Sequence, residues 1–315
     1  MLPLTAMAEV PRVITDIAPV YGLVAQVMGD LGQPVLLLDK GAGAHDFQLR
    51  PSQMSSIAST DLAVWIGPKL TPWFERALEG AKSDLASLVL LEVGGTHKKE
   101  FAATGGHDAQ GDDHDAAGHD DHDHKEAGRD DHGHEESHAH DHSGTDPHAW
   151  LNPENAAPWL DAIAAELAKR DPDNAAIYAA NAAAAKAEIA ALDAELAAAL
   201  APVKDKGFVA YHDAYGYFAA HYGLAYKGAV AMGDATTAGA AHLREMQEKL
   251  AGGVVCVFPE GQHDSSLLLQ LIDGTPAKAG AALDPEGATL DASPSSYADV
   301  LRNLAAALTG CLSGA

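Results

Sequence analysis

Three histidines stand apart from the rest. His45 lies in GAGAHDFQLRPSQ, His148 in TDPHAWLNPEN and His212 in VAYHDAYGYF. Taken singly, each reads equally well as a structural histidine with a satisfied ring. Together they offer three neutral imidazole nitrogens from three separated segments, the ligand set that Zn2+ takes when one position is left to water or a carboxylate. Asp46 and Asp213 each follow one of these histidines directly, and read either as orienting partners for an imidazole or as turn and capping residues.

A second population of histidines differs in kind. The stretch HDDHDHKEAGRDDHGHEESHAHDH, from His119 to His142, alternates histidine with acid, and His107 and His114 precede it. The other members are His122, His124, His132, His134, His138 and His140. Gly105 to Asp146 carries fourteen acids against only Lys125 and Arg129. A segment this poor in apolar side chains cannot offset its ordering entropy, so a disordered loop over about 104–145 is expected, with low-affinity metal capture as its chemistry. Purification tags are uniform and terminal, whereas this tract is irregular and internal. His97 borders the tract and extends it. His221, His242 and His263 read as helix-surface or loop residues, and of these only His263, in PEGQHD, has a claim on a cleft.

Positioning three distant histidines requires a scaffold, and the sequence indicates which. A chain of 315 residues with 47% apolar content exceeds one ordinary core, so two lobes are expected. Strand-like runs alternate with helical stretches. They are RVITDI, PVLLLD, LAVWIG and SLVLLE in the first half, and GFVAYH, AYKGAV, GVVCVF and KAGAAL in the second. The helical stretches include PVYGLVAQVMG, PSQMSSIAST and a final helix over Tyr297 to Leu308. That alternation is the pattern of mostly parallel sheets flanked by helices, an α/β fold. His212 closes a strand, and ligands of parallel sheets bind at the carboxyl ends of strands.

Between the halves, Asp173 to Leu200 lacks glycine and proline and is rich in alanine. It places Ile177, Ile189, Leu192, Leu196 and Leu200 at helical spacing. It reads as one long rigid helix. The expected organisation is an N-terminal lobe over 9–170 that includes the tract, a linking helix over 171–202 and a C-terminal lobe over 203–315. Residues 1–8, MLPLTAMA, end in the small-x-small pattern that precedes signal-peptidase cleavage and read as a signal-peptide remnant, or as an ordinary N-terminus holding two alanines.

The net charge of −25 argues against nucleic acid and anionic lipid as partners and suits metal cations. No run of 18 apolar residues occurs. Cys256, in a buried strand, and Cys311, just past the last helix, read as buried thiols in a cytosolic chain and as a disulfide in an exported one.

HDFQLRPSQ, DPHAWLNPEN, YHDAYGYF, YADVLRNLAAAL and the mid-chain helix together resemble the zinc-binding periplasmic receptors of bacterial ABC importers, the ZnuA type, over essentially the whole chain from Arg12. The resemblance implies two α/β lobes joined by a long helix, with Zn2+ in the cleft between them. His45, His148 and His212 would be its ligands, and Cys256 and Cys311 would match the disulfide of some members. It implies a periplasmic location, a membrane permease as partner and a monomeric state, with a periplasmic zinc chaperone as a further partner. Manganese-binding relatives carry glutamate where His212 stands, and imidazole suits zinc better than manganese. Some zinc receptors place a glutamate before the first histidine, where this chain has Ala44. The fourth ligand is then water or Asp284 of ALDPEG, the position used by carboxylate-ligated relatives. A manganese receptor, a zinc hydrolase or hydratase, and a storage protein or adhesin are the competing readings. The catalytic one lacks a His-Glu-x-x-His or comparable helix-borne motif.

Overall fold

The computed structural model describes residues 9–81, 85–101, 144–231 and 239–314. The expected signal-peptide remnant, 1–8, and the ten histidines of the tract lie outside the described residues. Within the described chain the first sheet is built from β1 (Val13–Thr15), β2 (Val35–Leu36), β3 (Leu62–Trp65) and β4 (Ala86–Val89), all parallel and in the order β2-β1-β3-β4. The second repeats the plan with β5 (Gly207–His212), β6 (Tyr226–Ala231), β7 (Val254–Phe258) and β8 (Lys278–Ala279), in the order β6-β5-β7-β8. In each sheet the strand order reverses between two central neighbours, β1 and β3 or β5 and β7. A crevice opens at such a point, beyond the strands' carboxyl ends.

The helices are α1 (Ala18–Met28), α2 (Pro51–Ala58), α3 (Pro72–Glu79), α4 (Ala156–Arg170), α5 (Ala175–Leu200), α6 (Gly216–Tyr222), α7 (Ala240–Ala251), α8 (Ser266–Ile272) and α9 (Ser296–Leu312). Proline at the start of α1, α2 and α3 costs no hydrogen bond, because the first amides of a helix have no internal partner. α4 has no counterpart in the sequence reading. It packs along α5, which also touches α1 and α9. The 26 residues of α5 run for about 39 Å at 1.5 Å per residue. Its buried stripe is Tyr178, Ala182, Ala185, Ile189, Leu192, Leu196 and Leu200. Ile177, expected on that face, lies one position off it and is 44% exposed, while Tyr178 takes the buried place with its hydroxyl donating to Asp171 at 2.7 Å.

One apolar core runs through the first sheet, α1, α4, α5 and α9, and reaches Phe208, Cys256 and Phe258 of the second sheet. The opposite face of that sheet carries a smaller core of its own, with Val209, Val230, Met246, Leu250, Val257, Leu268 and Leu271. α9 therefore belongs to the large core although it comes last in the chain. It is longer than the sequence suggests, so that Cys311 lies in its final turn rather than beyond it. There Cys311 is bonded to Cys256 of β7, closing a separation of 55 residues.

Asp16 follows β1 and is wholly buried. Its carboxylate accepts from the amides of Ile17 and of Ile66, which follows β3, at 2.9 Å each, and so staples the two strand ends together. Desolvation outweighs these bonds and pushes its pKa from 3.8 up to about 7. The folded state thus holds a proton that the unfolded chain releases near pH 4. The stability it brings is complete below that pH and is lost as pH rises through 7. Urea unfolding of metal-free protein is expected to show a loss of stability from pH 5 to pH 8 that shrinks in Asp16→Asn. That variant starts lower, because its NH2 replaces an oxygen that accepts one of the two backbone amides. Reduction of Cys256–Cys311 is expected to cost about 4 kcal/mol by loop-closure entropy, read as a lower urea midpoint with reductant than without.

Candidate metal centre

His212 ends β5, where the strand order of the second sheet reverses, and its ring is 1% exposed. His148 lies in an irregular segment just ahead of the turn Ala149–Leu151 and is equally buried. His45 lies in the loop between β2 and α2. The structure brings all three together, with one nitrogen from each lying within 4.8 Å of the others. The Nε2 atoms of His148 and His212 are 3.4 Å apart. Two ligands at 2.0–2.1 Å from a tetrahedral ion lie about 3.3–3.4 Å from each other, so this pair already spans one edge of a zinc site.

The far nitrogens explain why the near ones face inward. His148 donates Nδ1–H to Asp146 Oδ1 at 2.7 Å, and His212 donates Nδ1–H to Glu260 Oε2 at 2.6 Å. A carboxylate only accepts, so each pairing places the ring proton on Nδ1 and leaves a lone pair on Nε2 for a cation. Asp146 Oδ1 also takes the backbone N–H of His148 at 2.9 Å. Glu260 is fully used, since its Oε1 accepts from the hydroxyl of Tyr215 at 2.6 Å. Burial, with the Glu260 charge adding to it, holds the Tyr215 pKa well above its ordinary value, so the hydroxyl remains a donor.

Asp146 and Glu260 thus orient His148 and His212, and the sequence reading singled out neither. Asp213 accepts from the hydroxyl of Tyr226 at 2.9 Å, and Asp46 lines an open cavity beside Phe47, Gln48, Gln262 and His263. Both missed acids had a signal. Asp146 stands two residues before His148, and Glu260 lies two past β7, at the same sheet end as His212. Asp284 is not drawn into the cluster. Its Oδ1 accepts from Ala288 N–H, and its Oδ2 from both the amide and hydroxyl of Thr289, at 2.6–2.8 Å, which makes it the brace of a turn.

His263 does reach the site's border. It stacks on Tyr211 with ring centroids 4.6 Å apart and lies 3.7 Å from Glu260 Oε2. His212, Glu260 and His263 also form a group compact enough to suggest an ion. Within it, His212 Nδ1 and Glu260 Oε2 share a hydrogen bond at 2.6 Å, too short for those two atoms to ligate one tetrahedral ion. The other described histidines are held elsewhere. His221 donates to Asp193 at 2.7 Å, His242 donates to the Ala229 carbonyl at 2.8 Å, and His97 lies 3.9 Å from Glu154.

The family model of the zinc-uptake complex component A, periplasmic (ZnuA), matches residues 13–311. The chain belongs to this family. It is similar to the high-affinity zinc uptake system protein ZnuA of Paracoccus denitrificans, at 50% identity over 98% of this chain and 94% of that protein. The protein of the same name from Brucella suis is 35% identical over 96% and 91% of the two chains. Among solved structures, FpvC from Pseudomonas aeruginosa in complex with Mn2+ superposes with a TM-score of 0.74 at 20% identity, over 97% of this chain and 99% of that one. The laminin-binding protein Lmb of Streptococcus agalactiae gives 0.71 at 23%, over 95% and 99%. At these identities the structures establish a shared two-lobe fold.

The carboxylate pairings lead to a sharp expectation. In Glu260→Gln the side-chain oxygen retains the Tyr215 hydroxyl and the NH2 group turns to His212. His212 must then accept at Nδ1 and carry its proton on Nε2, where a metal would bind. Zinc affinity should fall about 10- to 100-fold with the fold intact, as measured by competition with a chromophoric chelator and by circular dichroism. An unchanged affinity would show that the pairing does not set the tautomer.

Proposed function

We propose that the chain captures Zn2+ in the periplasm and delivers it to the membrane permease of an ABC-type importer. The ion is held by His45, His148 and His212, with water in the fourth position. The observation that carries this reading is the 3.4 Å approach of two Nε2 atoms whose opposite nitrogens are each committed to a buried carboxylate. Water suits the fourth position because both oxygens of Asp284 are taken up in its turn. Membership of a zinc-uptake family supports zinc as the cargo, and so does the donor set. Three imidazoles favour zinc over manganese, which prefers harder oxygen ligands. Glu260 is occupied on both oxygens, which speaks for a binding site rather than a hydrolytic one needing a base beside bound water.

In this reading the lobes 9–170 and 203–315, joined through 171–202, form the two walls of the site. The protein acts as a monomer and accepts zinc either free or from a periplasmic zinc chaperone. The histidine-rich tract serves as an accessory collector. Its two flanks are pinned beside the site, where Glu100 and Thr145 form an antiparallel bridge, Asp146 N–H donates to the Lys99 carbonyl at 2.8 Å and Phe101 N–H to the Gly144 carbonyl at 3.0 Å. Tyr217 of α6 secures this base from the other lobe, accepting from Lys99 N–H at 2.7 Å and donating to the Asp146 carbonyl at 2.9 Å. Whatever the tract captures is thereby tethered close to the site, its last histidine, His142, standing six residues before His148.

Calorimetry of the metal-free protein provides the test. One tight zinc site is expected together with several weaker ones. Each of His45→Ala, His148→Ala and His212→Ala should weaken the tight site, and deletion of 105–143 should remove only the weak ones. If the tight site disappeared with the tract, the tract itself would be the receptor. Zinc-dependent esterase or carbonate-hydration activity lost in the same three variants would favour the catalytic reading.

A further inference from the structure

His45 is the ligand supplied by a loop, and its backbone is held from the far end of the chain. The amide of Ala44 donates to Glu286 Oε2 at 2.9 Å, across a separation of 242 residues, while the Ala44 carbonyl accepts from the Trp73 indole at 2.6 Å. The residue just before His45 is therefore gripped on both sides, through its own N–H and its own carbonyl. Glu286 is wholly buried. A carboxylate is an expensive group to bury, and a site needing only to be filled would take an aliphatic side chain.

The turn that carries Glu286 is braced in several ways. Asp284 caps it from within, as described above. The Pro285 carbonyl accepts from the Trp150 indole at 2.7 Å, and the Ala288 carbonyl from Gly41 N–H at 2.8 Å. Gly287 has φ +68°, and a β-carbon there would lie 2.9 Å from Val300 and 3.1 Å from Ala18, so the turn has little freedom to relax. The turn is thus fixed to the first lobe on both sides of the Glu286 contact, by Trp150 before it and by Gly41 of the His45 loop after it.

We propose that Glu286 is a positioning residue for His45, holding the Ala44 peptide so that the imidazole of the first-lobe loop meets those of His148 and His212. The placement of that ligand is then a property of the closed chain, not of the loop between β2 and α2. This inference rests on the reading of the three histidines as the zinc ligands.

The test is a double-mutant cycle on the full-length chain, with Zn2+ as the probe and chelator competition as the readout. Glu286→Gln keeps an acceptor for the Ala44 amide and should stay within about threefold of the parent. Glu286→Leu matches the volume without an acceptor and should weaken binding about tenfold or more, in the range seen when a ligand's outer support is lost. In a His45→Ala background the same Glu286→Leu change should have almost no further effect on the residual affinity. Equal losses in both backgrounds would make Glu286 merely structural and overturn the proposal, as would Glu286→Gln behaving like Glu286→Leu. Should Glu286→Leu fail to fold, Glu286→Asp, which withdraws the acceptor by one methylene, enters the same cycle with the same two outcomes. His148→Ala and His212→Ala run alongside, because an intact tight site in either would refute the ligand set itself, whatever Glu286 does.

Discussion

The structure depends on a constraint of imidazole chemistry. A histidine presents one lone pair to a cation only if its proton sits on the other nitrogen, and nothing in the ring decides which nitrogen that is. Here the decision is made by Asp146 and Glu260, two acids held in the interior beside His148 and His212. Buried carboxylates are tolerable only when their oxygens are satisfied, and that requirement spreads outward. Glu260 needs Tyr215, and the Asp146 segment is bolted to Tyr217 of the opposite lobe. The protein thus commits aromatic hydroxyls from α6 and the loop before it to supporting the acids that orient these two rings.

The two sheets share one topology but use their crevices differently. In the second, the reversal between β5 and β7 opens onto His212 and Glu260. In the first, the matching position is closed by Asp16, which ties the ends of β1 and β3. The first lobe contributes instead from loops, and loops need external anchors. His45 has Trp73 and Glu286 about its preceding peptide, and His148 has Trp150 next to it wedged between Pro285 and Tyr297.

Much of this was legible in the sequence. The strand runs, the glycine-free helix and the three isolated histidines are local signals, and periodicity reads them well. What escaped depends on partners distant in the chain. Ile177 and Tyr178 compete for one face of α5, and the choice falls to Asp171, which offers a hydrogen bond to a buried tyrosine. Asp213, which adjoins His212, read either as its partner or as a turn residue; successive residues leave a strand end in different directions, and Tyr226 takes Asp213. Glu286 lies in a turn whose composition announces only a turn. Its contact with Ala44 spans most of the chain, and no pattern within a window of residues encodes that.

The position of α9 bears on how such a molecule comes to be assembled. Its helix lies against α1 and α5, so a segment late in the chain completes a core begun by a much earlier one. Contacts of this length raise the mean sequence separation of the fold, and folding rates fall as that separation grows, because distant segments must meet before their burial repays the lost chain entropy. An N-terminal half emerging alone would expose the apolar face of α1 until α9 arrived. Removing α9 would therefore open the large core along α1 and α5.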